Sequence, residues 1–332
     1  MTPSKAELTP AVFVTYPIPA PGVALLEASF TVRVHPAEPA PGADAIVAGA
    51  AGCSGLLTLV RDRVDSALLQ RLPDLRAIAN YGVGYDNIDV AEATRRGIIV
   101  TNTPDVLTAA TADLAMALLL AATRRVGEGE RLVRSGRPWA WNPQMLLGLE
   151  LEGATLGLVG TGRIGLAVAR RALGFGMKLV HHSRHPSPAA EALGSVRLPL
   201  PELLATADVV SLHVALSDET RHLIDATALR QMKPTAYLVN TARGPVVDEA
   251  ALATALREGW IAGAGLDVYE REPAVDPGLL ELDNAVLLPH LGSATTRARS
   301  EMARVAATNL IAALDGQRPP NPVNPEVLPD HG

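Results

Sequence analysis

Across 332 residues the chain has one cysteine, Cys53. That excludes an internal disulfide framework and any cysteine-based zinc cluster, and it fits a reducing compartment. Cys53 is expected to act as a small buried hydrophobe, and no metal site is read. Long apolar runs are missing too: the longest, residues 114–122, falls well short of a membrane span. The opening MTPSKAELTP lacks an apolar signal core, so a short disordered tail and a cytoplasmic protein are expected. Positive charge is outnumbered, 29 Lys and Arg against 35 Asp and Glu, for a net charge of -6. Neither nucleic acid nor an anionic membrane is therefore expected as a partner. No repeat or low-complexity tract occurs, and the Pro/Asn-rich stretch from Pro319 reads as unstructured.

What is present suits a compact α/β protein: 48% of residues are hydrophobic and 19% charged, and the length calls for two domains. The chain is organised around LGLVGTGRIG, which begins at Leu156. An apolar run leads into Gly160-Thr161-Gly162-Arg163-Ile164-Gly165, and small apolar residues continue to Leu173. This reads as strand, tight turn and helix. The first glycine permits the turn, the second admits a pyrophosphate to the backbone, and the third lets helix and strand approach. The phosphates then meet the positive end of the helix dipole.

The next strand is expected at 178–182. An Asp or Glu at its end would hold the ribose 2′-hydroxyl of NAD, but residues 178–190 contain no acid. Ser183 and Arg184 stand there instead, a hydroxyl and a guanidinium that suit a 2′-phosphate. NADPH is the expected cofactor, with NADH as the second choice.

Ahead of the fingerprint, strands are expected at 11–15, 45–48, 75–79 and 98–102, with a helix at 65–71. Gly82 and Gly84 follow the third of these strands. They either turn the chain or offer backbone N–H groups to an anion, and the residues alone leave both readings open. Residues 108–135 read as one long helix whose Leu-rich first half is apolar nearly all round. Its burial is expected to come partly from another subunit, which makes it a dimer contact. The loop GRPWAWNPQMLLG holds Trp139 and Trp141, either as packing or as the wall of a small pocket.

Beyond the fingerprint, strands are expected at 207–213, 236–240, 262–268 and 285–288, with helices at 226–232, 249–258 and 293–314. His213, Thr241 with Arg243, Asp267 and His290 close these strands. Ligands of open parallel sheets bind outside such ends, so these side chains are expected to share one crevice. Arg243 can hold a carboxylate and polarise a carbonyl, or it can be a surface arginine. His290 is a natural proton donor near neutrality, and a nearby carboxylate would favour its charged form. Spacing alone does not choose between Glu270 and Glu272 for that carboxylate.

With these residues in view, the chain from about Asn80 to Thr296 resembles the D-isomer-specific 2-hydroxyacid dehydrogenases, in particular their glyoxylate/hydroxypyruvate reductase branch. The resemblance is carried by NYGVGYDNID from Asn80, VGTGRIG from Val159, NTARGPVVDE from Asn240, GLDVYEREP from Gly265 and LPHLGSAT from Leu288. It implies that Arg243, Glu272 and His290 are catalytic, that Val83 and Gly84 bind the substrate carboxylate with Arg243 and His290, and that Asp267 meets the nicotinamide carboxamide. It also implies cofactor contacts by Thr241, Ala242 and Gly292. Trp141 would reach toward a partner subunit's pocket. Thr161 departs from the apolar residue more usual at that place. Leu57 and Thr58 are provisional pocket residues, because the match before Asn80 is weak.

The implied fold is two Rossmann-like α/β domains, a flavodoxin-like substrate domain of residues 1–101 plus 291–332 and an NAD(P)-binding domain of 102–290. The implied activity is NADPH-dependent reduction of glyoxylate or hydroxypyruvate to glycolate or D-glycerate by a homodimer. The alternatives are a reductase of another 2-keto acid, of 2-ketogluconate or phenylpyruvate type, and a non-catalytic nucleotide-sensing protein on the same fold.

Overall fold

A computed structural model describes residues 10–328. The elements run β1 (Ala11–Val14), α1 (Ala20–Glu27), β2 (Thr31–Val34), α2 (Ala43–Ala50), β3 (Gly55–Leu59), α3 (Ser66–Gln70), β4 (Ala77–Tyr81), α4 (Val90–Arg95) and β5 (Ile99–Thr101). They continue as α5 (Thr108–Thr123), α6 (Val126–Arg134), β6 (Thr155–Val159), α7 (Arg163–Gly174), β7 (Lys178–His182), α8 (Pro188–Glu191), β8 (Val196–Arg197), α9 (Leu200–Thr206) and β9 (Val209–Leu212). Last come α10 (Ala226–Gln231), β10 (Tyr237–Asn240), α11 (Glu249–Glu258), β11 (Gly263–Leu266), α12 (Pro277–Leu280), β12 (Ala285–Leu287) and α13 (Thr296–Leu314). None of the described helices is long and apolar enough to cross a membrane. The expected N-terminal tail lies outside the described residues, apart from Pro10.

Two compact α/β units result. One runs to Leu107 and resumes at Thr295, and the other is Thr108–Ala294. The first holds a five-stranded parallel sheet in the order β2-β1-β3-β4-β5. Helix α13 returns to it and packs against α1, β3 and β4. The second holds a seven-stranded parallel sheet, β12-β11-β10-β9-β6-β7-β8. Its central strands are covered on both faces, which is why β9 and β10 are buried along their whole length rather than alternating.

Four expectations are corrected. Residues 45–48 lie in the helix α2, which buries Ile46 and Ala50 one turn apart; a short apolar run does not reveal its own period. The strands of that region are β2 and β3, and in β3 Leu56, Leu57 and Thr58 are all fully buried. The long helix expected at 108–135 is two helices, parted by Arg125 at φ 51. The carbonyl of Thr123, which a continuous helix would give to Gly127, accepts instead from Leu149 N–H at 2.9 Å.

The burial of α5 is also supplied within its own unit, by α7, β10 and β11. Exposed apolar surface lies on the following segment instead, at Val126, Val133, Trp139, Trp141 and Leu147. Finally, the stretch from Pro319 is structured. Asn324 is 1% exposed, takes a hydrogen bond from Val100 N–H at 2.8 Å, and donates to Ile98 O and Thr94 Oγ1, both at 2.9 Å. Its side-chain amide meets donors and acceptors that a hydropathy reading does not see.

Candidate active site

The turn after β6 is shaped by its three glycines. Gly160 sits at φ +98, and a Cβ there would come 2.6 Å from the His213 carbonyl oxygen. A Cβ on Gly165 would come 2.3 Å from Gly160 O, so helix and turn touch backbone to backbone. Around Gly162 nothing lies within 4 Å of where a Cβ would stand, and α7 begins there without a side-chain cap. Open space in front of a helix N-terminus suits a pyrophosphate. Thr161, Arg163 and Ile164 complete this turn.

At the end of β7 the carbonyls of Ser183 and Arg184 both accept from Arg197 Nη2, at 2.8 and 3.0 Å, and Ser183 Oγ donates to His185 O at 2.7 Å. The Arg184 side chain is exposed. Thr241 Oγ1 is buried without a hydrogen-bond partner, as is Nδ1 of His213. Such groups call for a partner. The glycine turn, the open helix end and the Thr241 hydroxyl fit a dinucleotide.

Arg243 stands on a turn that Asn240 ties down, its amide donating to Arg243 O at 2.9 Å and its oxygen accepting from Ala242 N–H at 3.0 Å. Arg243 Nη1 donates to Ala242 O at 2.8 Å. The next residue must be glycine: a Cβ on Gly244 would fall 1.8 Å from the Tyr269 carbonyl carbon. This contact sets the arginine turn against the segment that carries Glu272.

That segment supplies the carboxylate. Glu272 Oε2 lies 2.8 Å from His290 Nδ1, and Oε1 accepts from Tyr269 N–H at 3.1 Å. Glu270 instead meets His222 Nε2 at 2.7 Å, so the structure separates two acids that spacing could not. Burial pushes the Glu272 carboxyl up, but the hydrogen bond and charge of His290, the Tyr269 N–H and the Arg243 guanidinium outweigh it and hold the group below its ordinary range. His290 has φ 55, in the left-handed region, and its N–H donates to Asp267 O at 2.9 Å.

Asp267 is 1% exposed and grips the turn after His290, accepting from Leu291 N–H at 2.6 Å and from Gly292 N–H at 2.8 Å. Burial raises its carboxyl above the usual range. Gly292 O in turn accepts from Thr111 Oγ1 at 3.1 Å. Arg243, Glu272, His290, Asp267 and the glycine turn thus all belong to the second unit.

Val83 and Gly84 belong to the first. Their carbonyls accept from Asn102 Nδ2 at 2.8 Å and Asn80 Nδ2 at 2.6 Å. In a planar trans peptide the N–H opposes the C=O, so Asn102 also fixes the direction of the Gly84 N–H. Leu57 and Thr58 are corrected as pocket residues: both are 0% exposed, and Thr58 Oγ1 donates to Asp62 at 3.1 Å. They occupy the middle of β3, where a covered strand has no free face. Trp141 is 79% exposed on its loop. Asn240, Thr111 and Glu249 were not singled out from sequence. For Asn240 and Glu249 the only signal was their place within a quoted motif.

A family model for the NAD-binding domain of the D-isomer specific 2-hydroxyacid dehydrogenases matches residues 116–292. A glyoxylate reductase of Thermococcus litoralis is 51% identical over 327 residues, covering 97% of this chain and 98% of the relative. One of Korarchaeum cryptofilum is 52% identical over 325 residues, covering 97% and 98%. Among solved structures, the NADPH-dependent glyoxylate/hydroxypyruvate reductase of Sinorhizobium meliloti in complex with NADP and malonate superposes with TM-score 0.86 at 36% identity, covering 98% of this chain and 99% of that one. The chain belongs to the D-isomer-specific 2-hydroxyacid dehydrogenases, nicotinamide-dependent oxidoreductases acting on CH–OH donors, alongside relatives named glyoxylate reductase.

Proposed function

We propose that the protein reduces glyoxylate or hydroxypyruvate to glycolate or D-glycerate, with NADPH preferred over NADH. The observation that carries the reading is the His290–Glu272 pair at 2.8 Å, with Arg243 acting on the same carboxylate. The names of the relatives support the substrate, and the absence of an acid at residues 178–190 supports the cofactor.

When bound, the reduced nicotinamide supplies the hydride. The guanidinium of Arg243 holds the substrate carboxylate and polarises the keto oxygen. Nδ1 of His290 is committed to Glu272, which leaves Nε2 to give the proton to the developing alkoxide. The imidazole left behind is recharged from solvent. Thr241, Ala242, Asp267 and Gly292 line the nicotinamide end, and Ser183 with Arg184 receives the 2′-phosphate. The reading places the protein in the cytoplasm as a homodimer, with the exposed segment of Val133, Trp139 and Trp141 against the second copy. Apolar side chains so fully exposed on one segment favour a partner.

The test is initial-rate reduction of both keto acids with NADPH and NADH, with the oligomer measured by light scattering. Turnover of neither acid would remove the substrate assignment, and a monomer would remove the second.

A further inference from the structure

Glu249 is the first residue of α11, a place where an acid ordinarily faces water. Here it is 7% exposed. The helix does not need it as a cap, since Asp248 accepts from Ala251 N–H at 2.9 Å. Burial pushes the Glu249 carboxyl above its usual range, and the carboxylates of Glu270 and Asp276 push it the same way, against the two N–H groups that it accepts from. A buried acid next to two others is costly to keep, and stability alone is a poor reason for it.

Its hydrogen bonds supply a better reason. Oε1 accepts from Glu270 N–H, and Oε2 accepts from Asp276 N–H at 3.2 Å. One carboxylate therefore holds both ends of the loop of residues 270–276. Within that loop Ala274 N–H donates back to Arg271 O at 2.9 Å, and Glu272 sits between the two. His222 keeps the Glu270 side chain engaged at 2.7 Å, so that acid is held away from the imidazole of His290.

We infer that Glu249 is a positioning residue, whose carboxylate closes the 270–276 loop and so sets Glu272 against His290. The inference rests on the catalytic reading of that pair. A carboxylate is needed because it presents two acceptors. Glutamine presents one acceptor and, on the other side, an N–H₂ that would face a backbone N–H.

The experiment is a double-mutant cycle in the full-length enzyme, Glu249→Gln and Glu272→Gln singly and together, with glyoxylate and a reduced nicotinamide cofactor. Glu249→Gln is expected to lower kcat by about tenfold, as a small misplacement of a reacting group does, with the cofactor KM unchanged. In the Glu272→Gln background the same change should cost less than about twofold, because the group it positions is already gone. Glu249→Asp, which keeps two acceptors, should recover part of the loss.

Full additivity of the two changes, or a fall in thermal midpoint with kcat intact, would overturn the inference and make Glu249 a structural residue. So would failure of both Glu249 variants to fold. If Glu272→Gln alone leaves kcat unchanged, the catalytic reading of the pair fails instead, and the two failures stay distinct.

Discussion

His290 meets Glu272 through Nδ1 at 2.8 Å, so the ring is held by the nitrogen nearer the backbone and Nε2 is the one left for a substrate. The left-handed backbone of His290 and its N–H bond to Asp267 O fix the direction from which the ring emerges. Orientation is therefore over-determined from both ends of the residue.

Replacing His290 by Ala should lower kcat by ~10² to 10⁴-fold, the range of positioned acid catalysis, while cofactor affinity stays near wild type. Fluorescence titration of the reduced cofactor against steady-state kcat separates the two. Glu272→Gln should lower kcat as well, since an amide carries no charge and, while accepting from Tyr269 N–H, would turn an N–H₂ rather than an acceptor toward the protonated ring. A fall in cofactor affinity equal to the fall in kcat would count against this assignment.

Wild type should prefer NADPH to NADH by at least about tenfold in kcat/KM, equivalent to roughly 1.4 kcal/mol. Arg184→Ala should erase most of that preference by raising the KM for NADPH alone. Competition by 2′,5′-ADP against 5′-AMP reads the same contact without turnover. Equal loss with both cofactors would mean that Arg184 acts on the turn rather than on a phosphate.

His213 gives a pH dependence whose sign is fixed. Burial lowers its imidazole from 6.5 to about 4, and no protein group pairs with Nδ1. A depressed pKa means that the fold excludes the proton, so its contribution to stability is complete above 6.5 and lost as pH falls through about 4. The loss amounts to at most about 3 kcal/mol. Urea unfolding at neutral pH and near the lower value should show a larger drop for wild type than for His213→Gln. Equal drops would place the acid sensitivity elsewhere.

Asn324→Ala should destabilise the first unit by about 2–3 kcal/mol, because it leaves Val100 N–H and Ile98 O buried without their partner. Thermal unfolding measures this directly. No change in the midpoint would mean that this segment is only loosely attached.

The parts of this protein that were legible in its sequence are those written in backbone chemistry. The strand Lys178–His182 and the helix Glu249–Glu258 lie where the residue pattern put them. Gly160 and Gly165 of the β6–α7 turn announced close approaches that only glycine allows. Parts that depend on distant neighbours were not legible. The break at Arg125 is set by Leu149 N–H taking the carbonyl of Thr123, a contact that local propensity cannot contain. Glu270 and Glu272 are alike in sequence and differ only in which imidazole each faces. Leu57 and Thr58 read like pocket residues because nothing local told that β3 is covered on both sides.

The stretch that ends in Asn324 also covers a sheet edge. Thr101 of β5 bridges antiparallel to Pro322, Asn102 N–H donates to Asn321 O, and Val323 N–H donates to Val100 O. These bonds occupy the outer rim of the five-stranded sheet, and Pro322 presents no N–H to a strand arriving from outside. Cutting the chain before Asn321 would strip that rim bare and offer β5 as a template for another molecule. The first sign of the damage would then be aggregation of folded protein, ahead of any loss of its native spectrum.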